Sequence, residues 1–499
     1  MELQFQKTEV SYLDELVSEN QNLEQTQELK LSDGMPDIGR VLSSWGQVIL
    51  RSKEWRSDSI SVSGGIMVWV MYLPEDESGE RVMDAWIPFQ MKWNLPDNVP
   101  DGKICVDLRL RFVDARTVSP RKIMVRAGIA GCGKAFTLKN EFISTPDALP
   151  ADVEILKTRC AVHLMKEAGE TNFYLDEEMN GLSTSAPLSK PVCYMVNPEV
   201  TDKKVLGNKI AFRGNLNLHM LYRMENDKLE AQDFSLPFSQ YTELNSVYGS
   251  ETDVCLTLCT TSLELDPGEN GSFHVKCGIA AQYLIQEKNE FEVVEDAYSP
   301  YRKLTIHAET GSLPKRVYQG RITIHGESDL PAGAASPVDI RFLPDYPSVS
   351  QTEDGLRLEA HGSVRVLYYD ENGILLSTAS GWEGNAEQDL PKGGIPSVSL
   401  QIPQEGHLLT SGGTTLFRAE LPVELNVMSG DGIMGITSIE LGDDMEPDVS
   451  RPSVILRRAG GERLWDIAKA SGSTVQAIQK ANNLEGEPAQ GQMLLIPVS

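Results

Sequence analysis

The stretch Gly128-Ile-Ala-Gly-Cys-Gly133-Lys134-Ala135 holds the first seven positions of G-x-x-x-x-G-K. In that motif, backbone N–H groups after a strand cradle nucleotide phosphates. The eighth position is Ala135, which has no hydroxyl for magnesium, and Phe136-Thr-Leu-Lys-Asn does not open a helix. A strand is expected here instead. The histidines at 163, 219, 274, 307, 325, 361 and 407 show no H-x-x-x-H spacing, and the cysteines show no C-x-x-C, so no metal site is expected. Seven cysteines, scattered and odd in number, exclude a disulfide framework; Cys255 and Cys259 are expected as free thiols filling small sites. Glu75-Asp-Glu and Glu251-Thr-Asp253 suit solvated loops better than general acid–base pairs, and no G-x-S-x-G occurs. The chain is expected to be no enzyme, with no catalytic residues and no cofactor.

Recognition chemistry is concentrated in Pro452 to Ser499. Val454 to Leu456 suits a strand. Leu464, Ile467 and Ala468 recur at helical spacing, so a helix is predicted over Arg463 to Ala470, stopped by Ser471-Gly472. Ser473 followed by Gln476 predicts a capping box for a second helix, Thr474 to Ala481, with Val475 and Ile478 inward and Asn482-Asn483 at its end. Met493 to Ile496 makes a second strand before Pro497.

This β-α-α-β order resembles a LysM domain, a family that binds N-acetylglucosamine-containing glycans or, less often, proteins. The resemblance implies a groove between two loops, here Ala459 to Arg463 and Asn482 to Gln490. The partner-contact residues it suggests are Gly460, Gly461, Glu462, Arg463, Leu464, Trp465, Asn482, Asn483 and Leu484. Leu464 and Trp465 also suit the module's own core. Where the family places Gly-Asp-Thr or Gly-Asp-Ser, this chain has Gly461-Glu462-Arg463. A long cation there replaces a small hydroxyl, which disfavours an acetamido group and leaves protein binding open.

The elements that must position this module are repeated. Gly64, Cys105 and Val125 each have a like-for-like counterpart 150 residues on, at Gly214, Cys255 and Val275. The first anchor runs Gly64 to Tyr72 and Gly214 to Tyr222. A looser third copy, Leu358 to Tyr368, lies 146 residues beyond the second, with Ala360 in place of the glycine and Asp370-Glu-Asn-Gly373 as its hairpin turn. Turns are also expected at Glu75 to Gly79, Glu225 to Asp227 and Asp266 to Gly271, and Val423 to Val427 supplies a late strand. Ile104, Val106, Leu108, Leu110 and Phe112 alternate with Cys105, Asp107, Arg109 and Arg111, a strand with one buried face. His219 falls where the first copy has Trp69, which argues for a packing or surface role. The fold class is mainly β: three antiparallel β-sandwich-like domains over 1–145, 146–298 and 299–447, then the small βααβ module over 452–499. Linkers are expected near Ser144 to Leu149, Ser299-Pro300 and Asp443 to Pro452.

A formal charge of −27 repels nucleic acid and anionic membrane. Hydrophobic content of 40% and charged content of 23% suit a globular chain with a sizeable core. The opening Met1-Glu-Leu-Gln-Phe-Gln-Lys does not read as a signal peptide, and no apolar run is long enough to span a membrane, so a cytosolic protein is expected.

Three acidic β repeats followed by a LysM module resemble the SPOCS-domain spore-coat proteins. Leu31-Ser-Asp-Gly-Met-Pro36-Asp37-Ile38 looks like the opening of a SPOCS repeat, and Pro337-Val-Asp-Ile340 like a degenerate third one. The resemblance implies a structural role in coat assembly, in the mother-cell cytoplasm at the forespore surface and in the spore coat. It also implies a LysM domain docked onto a SpoIVA-type coat ATPase and contacts with other coat proteins. Peptidoglycan or cortex glycan is the alternative ligand.

Overall fold

The computed structural model describes all residues except 1–2, 4, 77, 147–148, 180–190, 225–227, 268–271, 312, 391–392, 401–405, 412–413, 430–431, 446–451 and 499. The turn expected at Glu225 to Asp227, most of that at Asp266 to Gly271, and much of the Asp443 to Pro452 linker fall outside the described residues.

The alternation does produce a mainly β molecule, and every strand pair among the described residues is antiparallel. The first copy holds β1 (Phe5–Lys30), β2 (Ile38–Trp55), β3 (Ser59–Pro74), β4 (Arg81–Asn94), β5 (Lys103–Ser119) and β6 (Lys122–Pro146). They form two sheets, ordered β1-β6-β5 and β2-β3-β4. The second copy holds β7 (Glu154–Met179), β8 (Pro191–Arg223), β9 (Leu229–Tyr248), β10 (Asp253–Pro267) and β11 (Phe273–Tyr298). Its sheets run β10-β11-β7 and β8-β9, with β8 replacing two strands of the first copy. The third copy holds β12 (Arg302–Gly311), β13 (Arg316–Leu330), β14 (Pro337–Pro344), β15 (Ser348–Gln351), β16 (Gly355–Tyr369), β17 (Leu375–Asp389), β18 (Gly394–Leu400), β19 (His407–Ser411), β20 (Thr414–Ser429) and β21 (Ile433–Asp444). Here β13 also pairs with β17, so the two sheets join as β14-β16-β17-β13-β20-β18. The expected turn at Asp370 to Gly373 is present, with Gly373 at φ 76°.

The glycine shared by the first two copies is required by close approach. A Cβ on Gly64 would stand 2.1 Å from the Ile49 carbonyl oxygen, and one on Gly214 1.8 Å from that of Glu199. The rings of Phe89 and Phe238, on the strands paired opposite, close over these glycines. In the third copy the residue opposite is Gly384, and Ala360 takes the central position. The small residue has changed strands.

Each copy has its own core, and the copies then pack on one another in a ring. Trp69, His219 and Arg365 occupy equivalent positions on β3, β8 and β16. Each reaches the strand of the next copy that matches β2. Trp69 packs on Tyr194 at 5.0 Å between ring centroids, and Arg365 donates to Ser44 Oγ at 3.0 Å. His219 Nε2 stands 3.0 Å from Asp339 Oδ1, an ion pair whose angle is not that of a hydrogen bond. Buried Trp45, Met71, Cys193, Leu221, Leu367 and Leu375 fill the centre. His219 is therefore neither a surface residue nor simple packing: it is a half-buried ionic link between copies.

The polar face of β5 is also covered, because it lies against the other copies. Arg111 makes a two-pronged pair with Asp345 at 2.6 and 2.7 Å, and Arg109 donates to the Leu400 carbonyl. The linkers also begin later than expected. Ser144 and Thr145 still pair with Lys7 and Gln6 on β1, and Asp444 pairs with Arg302. The ends of β1 and β6, of β7 and β11, and the β12–β21 pair bury Leu3, Val153, Val294, Ala297, Ile436 and Ile439 together. A three-ribbon stem thus extends beyond the ring.

Candidate partner-binding module

The module forms β22 (Val454–Arg458), α1 (Leu464–Ser471), α2 (Val475–Asn482) and β23 (Met493–Pro497), with the two strands antiparallel. Gly472 and Asn483 close the helices in the left-handed conformation, at φ 61° and 52°. The expected capping box does not form. Thr474 is the N-cap of α2 and its hydroxyl accepts from the Ala477 N–H at 3.1 Å. Ser473 is one residue too early; its hydroxyl is buried with no partner among the described residues and its carbonyl accepts from Tyr298.

Leu464 and Trp465 are buried with Ile467, Ala468, Ile478, Leu494 and Ile496. Their side chains are committed to the module's core and to its seat on the second copy, not to an open groove. Tyr298, the last residue of β11, packs edge-on against Trp465 at 4.8 Å, and its hydroxyl donates to the Ser473 carbonyl at 2.9 Å. Trp465 Nε1 donates to Asp296 at 2.9 Å, and Lys469 pairs with the same carboxylate at 2.7 Å. Partial burial works against the charge of Asp296, but the Lys469 and Trp465 donors outweigh it and hold its pKa below the ordinary value. Arg463 pairs with Glu295 at 2.8 Å and with Asp466 at 3.1 Å. Donors from the Thr158 hydroxyl and Arg463 hold the Glu295 carboxyl low.

The Glu462-Arg463 departure thus has a role within the chain: Arg463 turns toward β11. Glu462 folds back on its own loop, accepting from the Gly460 N–H and from Arg457, both at 2.6 Å. Across the second loop, Glu487 accepts from the Leu464 N–H at 2.6 Å. Two backbone donors beside the groove are consequently occupied by the module's own carboxylates. Asn482 is also committed. Its amide donates to the Leu495 carbonyl at 2.7 Å and its oxygen accepts from the Leu495 N–H at 2.8 Å. Gly460, Gly461, Arg463 and Asn483 are exposed, and Glu462, Asn482 and Leu484 are half-buried.

Glu295, Asp296 and Tyr298 carry this seat and Glu487 ties the module's own loops; none was singled out in the sequence. A comparison of copies contains the signal. Glu295-Asp296-x-Tyr298 is replaced by Thr145-Pro146-x-Ala148 in the first copy and by Leu441-Gly442-x-Asp444 in the third. The second copy alone offers two carboxylates and an aromatic ring.

Residues 128–135 lie within β6, paired on one side to β1 and on the other to β5. Their backbone donors belong to ladders, so no phosphate cradle exists there. A cleft of about 1820 Å³ opens between the copies; its lining mixes Asp107, Lys134, Asp202, Lys203, Arg341 and Glu424. Among the described residues, no three His, Cys, Asp or Glu side chains are grouped as a metal site would need. Cysteines are free, as expected; Cys259 is buried, but Cys255 is exposed and fills no site. No described helix is long and apolar enough to cross a membrane.

Comparison with known families supplies two matches. The profile of the SipL SPOCS domain matches residues 192–262, spanning β8, β9 and most of β10, and that of the LysM domain matches residues 461–497. No curated protein and no solved structure matches the chain. A stretch similar to a SPOCS domain and a stretch similar to a LysM domain therefore share one chain, a pairing similar to that of a SipL-like protein.

Proposed function

We propose that this chain is a non-enzymatic structural adaptor of spore-coat assembly. The LysM module docks onto a SpoIVA-type coat ATPase at the forespore surface, on its mother-cell side, and the β copies hold other coat proteins. The observation that carries the protein-binding reading is the filling of the groove's donors. Gly460 and Leu464 N–H groups, on and just after the first groove loop, are occupied by Glu462 and Glu487. A sugar would have to displace both carboxylates from these bonds before it could reach the donors. The test is co-purification of the coat ATPase with the full chain and with a chain ending before Pro452. Capture by the full chain alone is expected; equal capture by both removes the LysM tether.

The alternative is a binder of peptidoglycan or cortex glycan. The LysM match itself favours it, as do the exposed Gly460, Gly461 and Asn483 beside the groove. Sedimentation of the full chain with purified peptidoglycan separates the readings, and retention abolished by Gly461→Trp would support the glycan.

A further inference from the structure

The two edges of the module's small sheet are treated differently. On β23, Asn482 occupies both outward groups of Leu495, so that edge is closed by the chain's own side chain. Leu495 faces Leu456 in the register, so these two do not exchange ladder bonds. In an antiparallel pair such positions alternate with bonded ones. Ser453 and Ala459, at the odd positions, bond across to Val498 and Gln492. Val454, Leu456 and Arg458 therefore point their N–H and C=O groups outward from β22. No described residue partners these groups.

The same three residues project their side chains away from the module's core. Val454 and Leu456 are 45% and 69% exposed, with Met493 and Leu495 beside them on β23 at 54% and 40%. Of the module's five cations, Arg457, Arg463 and Lys469 have carboxylate partners in the chain. Arg458 is exposed and has none among the described residues. An open edge flanked by apolar side chains is a template for another strand unless charge or proline blunts it. The module carries four carboxylates against its five cations, whereas the whole chain stands at −27. A second copy would bring that acidic body against its twin, which disfavours self-pairing.

We propose that the outer edge of β22 accepts an extended strand of a partner protein, apolar at alternate positions and acidic opposite Arg458. Main-chain bonds to Val454, Leu456 and Arg458 carry the affinity. The Val454–Leu456–Met493–Leu495 face selects the apolar side chains, and Arg458 sets the register. The inference rests on the protein-binding reading of the module and moves the contact from the loop groove to the sheet edge.

The test uses the full chain, hydrogen exchange over residues 453–460, and a synthetic extended peptide alternating valine with threonine and bearing one aspartate. Protection of the Val454, Leu456 and Arg458 amides on adding peptide is expected, with loss of protection in Leu456→Lys and weaker protection when lysine replaces the aspartate. Leu456→Pro removes an outward N–H and no ladder bond, so the module folds while strand addition fails. Unchanged exchange with peptide, or protection that survives in Leu456→Lys, overturns the proposal. So does protection of these amides by soluble peptidoglycan fragments in place of the peptide. Capture of the coat ATPase separates the two readings. If the peptide protects the edge but no ATPase is captured, the adaptor reading fails and the edge stands. Equal capture by wild type and Leu456→Pro overturns the edge and leaves the adaptor reading intact.

Discussion

Asp339 is the residue through which the ring of copies can be tested most directly. It is 4% exposed, accepts from Trp45 Nε1 of the first copy at 2.7 Å, and faces His219 of the second at 3.0 Å. Burial opposes ionisation of Asp339, but His219, Arg341 and the Trp45 donor more than offset it, so its pKa lies below the ordinary value. Burial likewise opposes the charge on His219, and Asp233 at 2.7 Å together with Asp339 outweighs it, raising its pKa. Asp339→Ala would take one of two carboxylates from half-buried His219, which keeps Asp233, and would leave the indole N–H without its acceptor. Removing one partner of a buried pair costs about 3–5 kcal/mol, so with Asp233 retained the cost should lie near the lower end of that range. The unpartnered N–H does not add fully, because one carboxylate serves both contacts. Asp339→Asn keeps an acceptor for Trp45 and should cost less, about 1.5–3 kcal/mol.

The pH dependence follows from the same geometry. The stability contributed by charged His219 is complete below its ordinary value of 6.5 and is lost as pH rises through its raised folded value. Asp339 and Asp233 have lowered values, so their contributions are lost only on acidification and are constant near neutrality. The junction should therefore weaken as pH rises above 6.5 and through the raised His219 value, and Asp339→Asn should flatten that slope. Hydrogen exchange of segments 214–222 and 337–344 reads local opening without assuming two-state unfolding. A cost for Asp339→Ala below about 1 kcal/mol, or an unchanged slope in Asp339→Asn, would refute the ionic link.

The remaining predictions concern the module and the thiols. Trp465→Ala removes a buried ring and its contacts with Tyr298 and Asp296, and should destabilise the module by about 3–5 kcal/mol, read as protease cleavage within 453–498. Asp296→Lys places a cation against Lys469 and should release the module from β11 without unfolding it, seen as increased dimensions by small-angle scattering. Glu295→Ala, at an exposed pair, should change stability by no more than about 1 kcal/mol in thermal melts. Burial pushes the Cys105 thiol up to about 12 and raises Cys259 further, so alkylation of the native chain should label Cys255 first. Early labelling of Cys259 would contradict its burial.

The strand content and the helix stops of the last module were readable because they depend on neighbours in sequence. Alternating apolar residues make a strand wherever one face is buried, and Gly472 and Asn483 adopt the left-handed conformation that ends a helix. The repeat was readable because two glycines answer the same close approach in two copies. The cap at Thr474 was missed by one residue, since Ser473 and Thr474 both suit the role and packing against Tyr298 decides between them. The cover over the polar face of β5 was not readable, because periodicity identifies one buried face and is silent about a second covered by another copy.

By itself, then, the sequence determined local conformation: antiparallel strands, their near-threefold repetition, and a βααβ unit after them. Only the tertiary structure decided how the copies close, through contacts such as His219 with Asp339 that lie 120 positions apart in the chain. It also decided where the module sits. The loop residues Glu462 and Arg463 looked like a partner's landing site because they are charged and depart from the family pattern. Their partners are the module's own Gly460 and Arg457 and the carboxylate of Glu295, 168 residues earlier. Such pairings depend on charge meeting charge in space, which spacing along a chain does not encode.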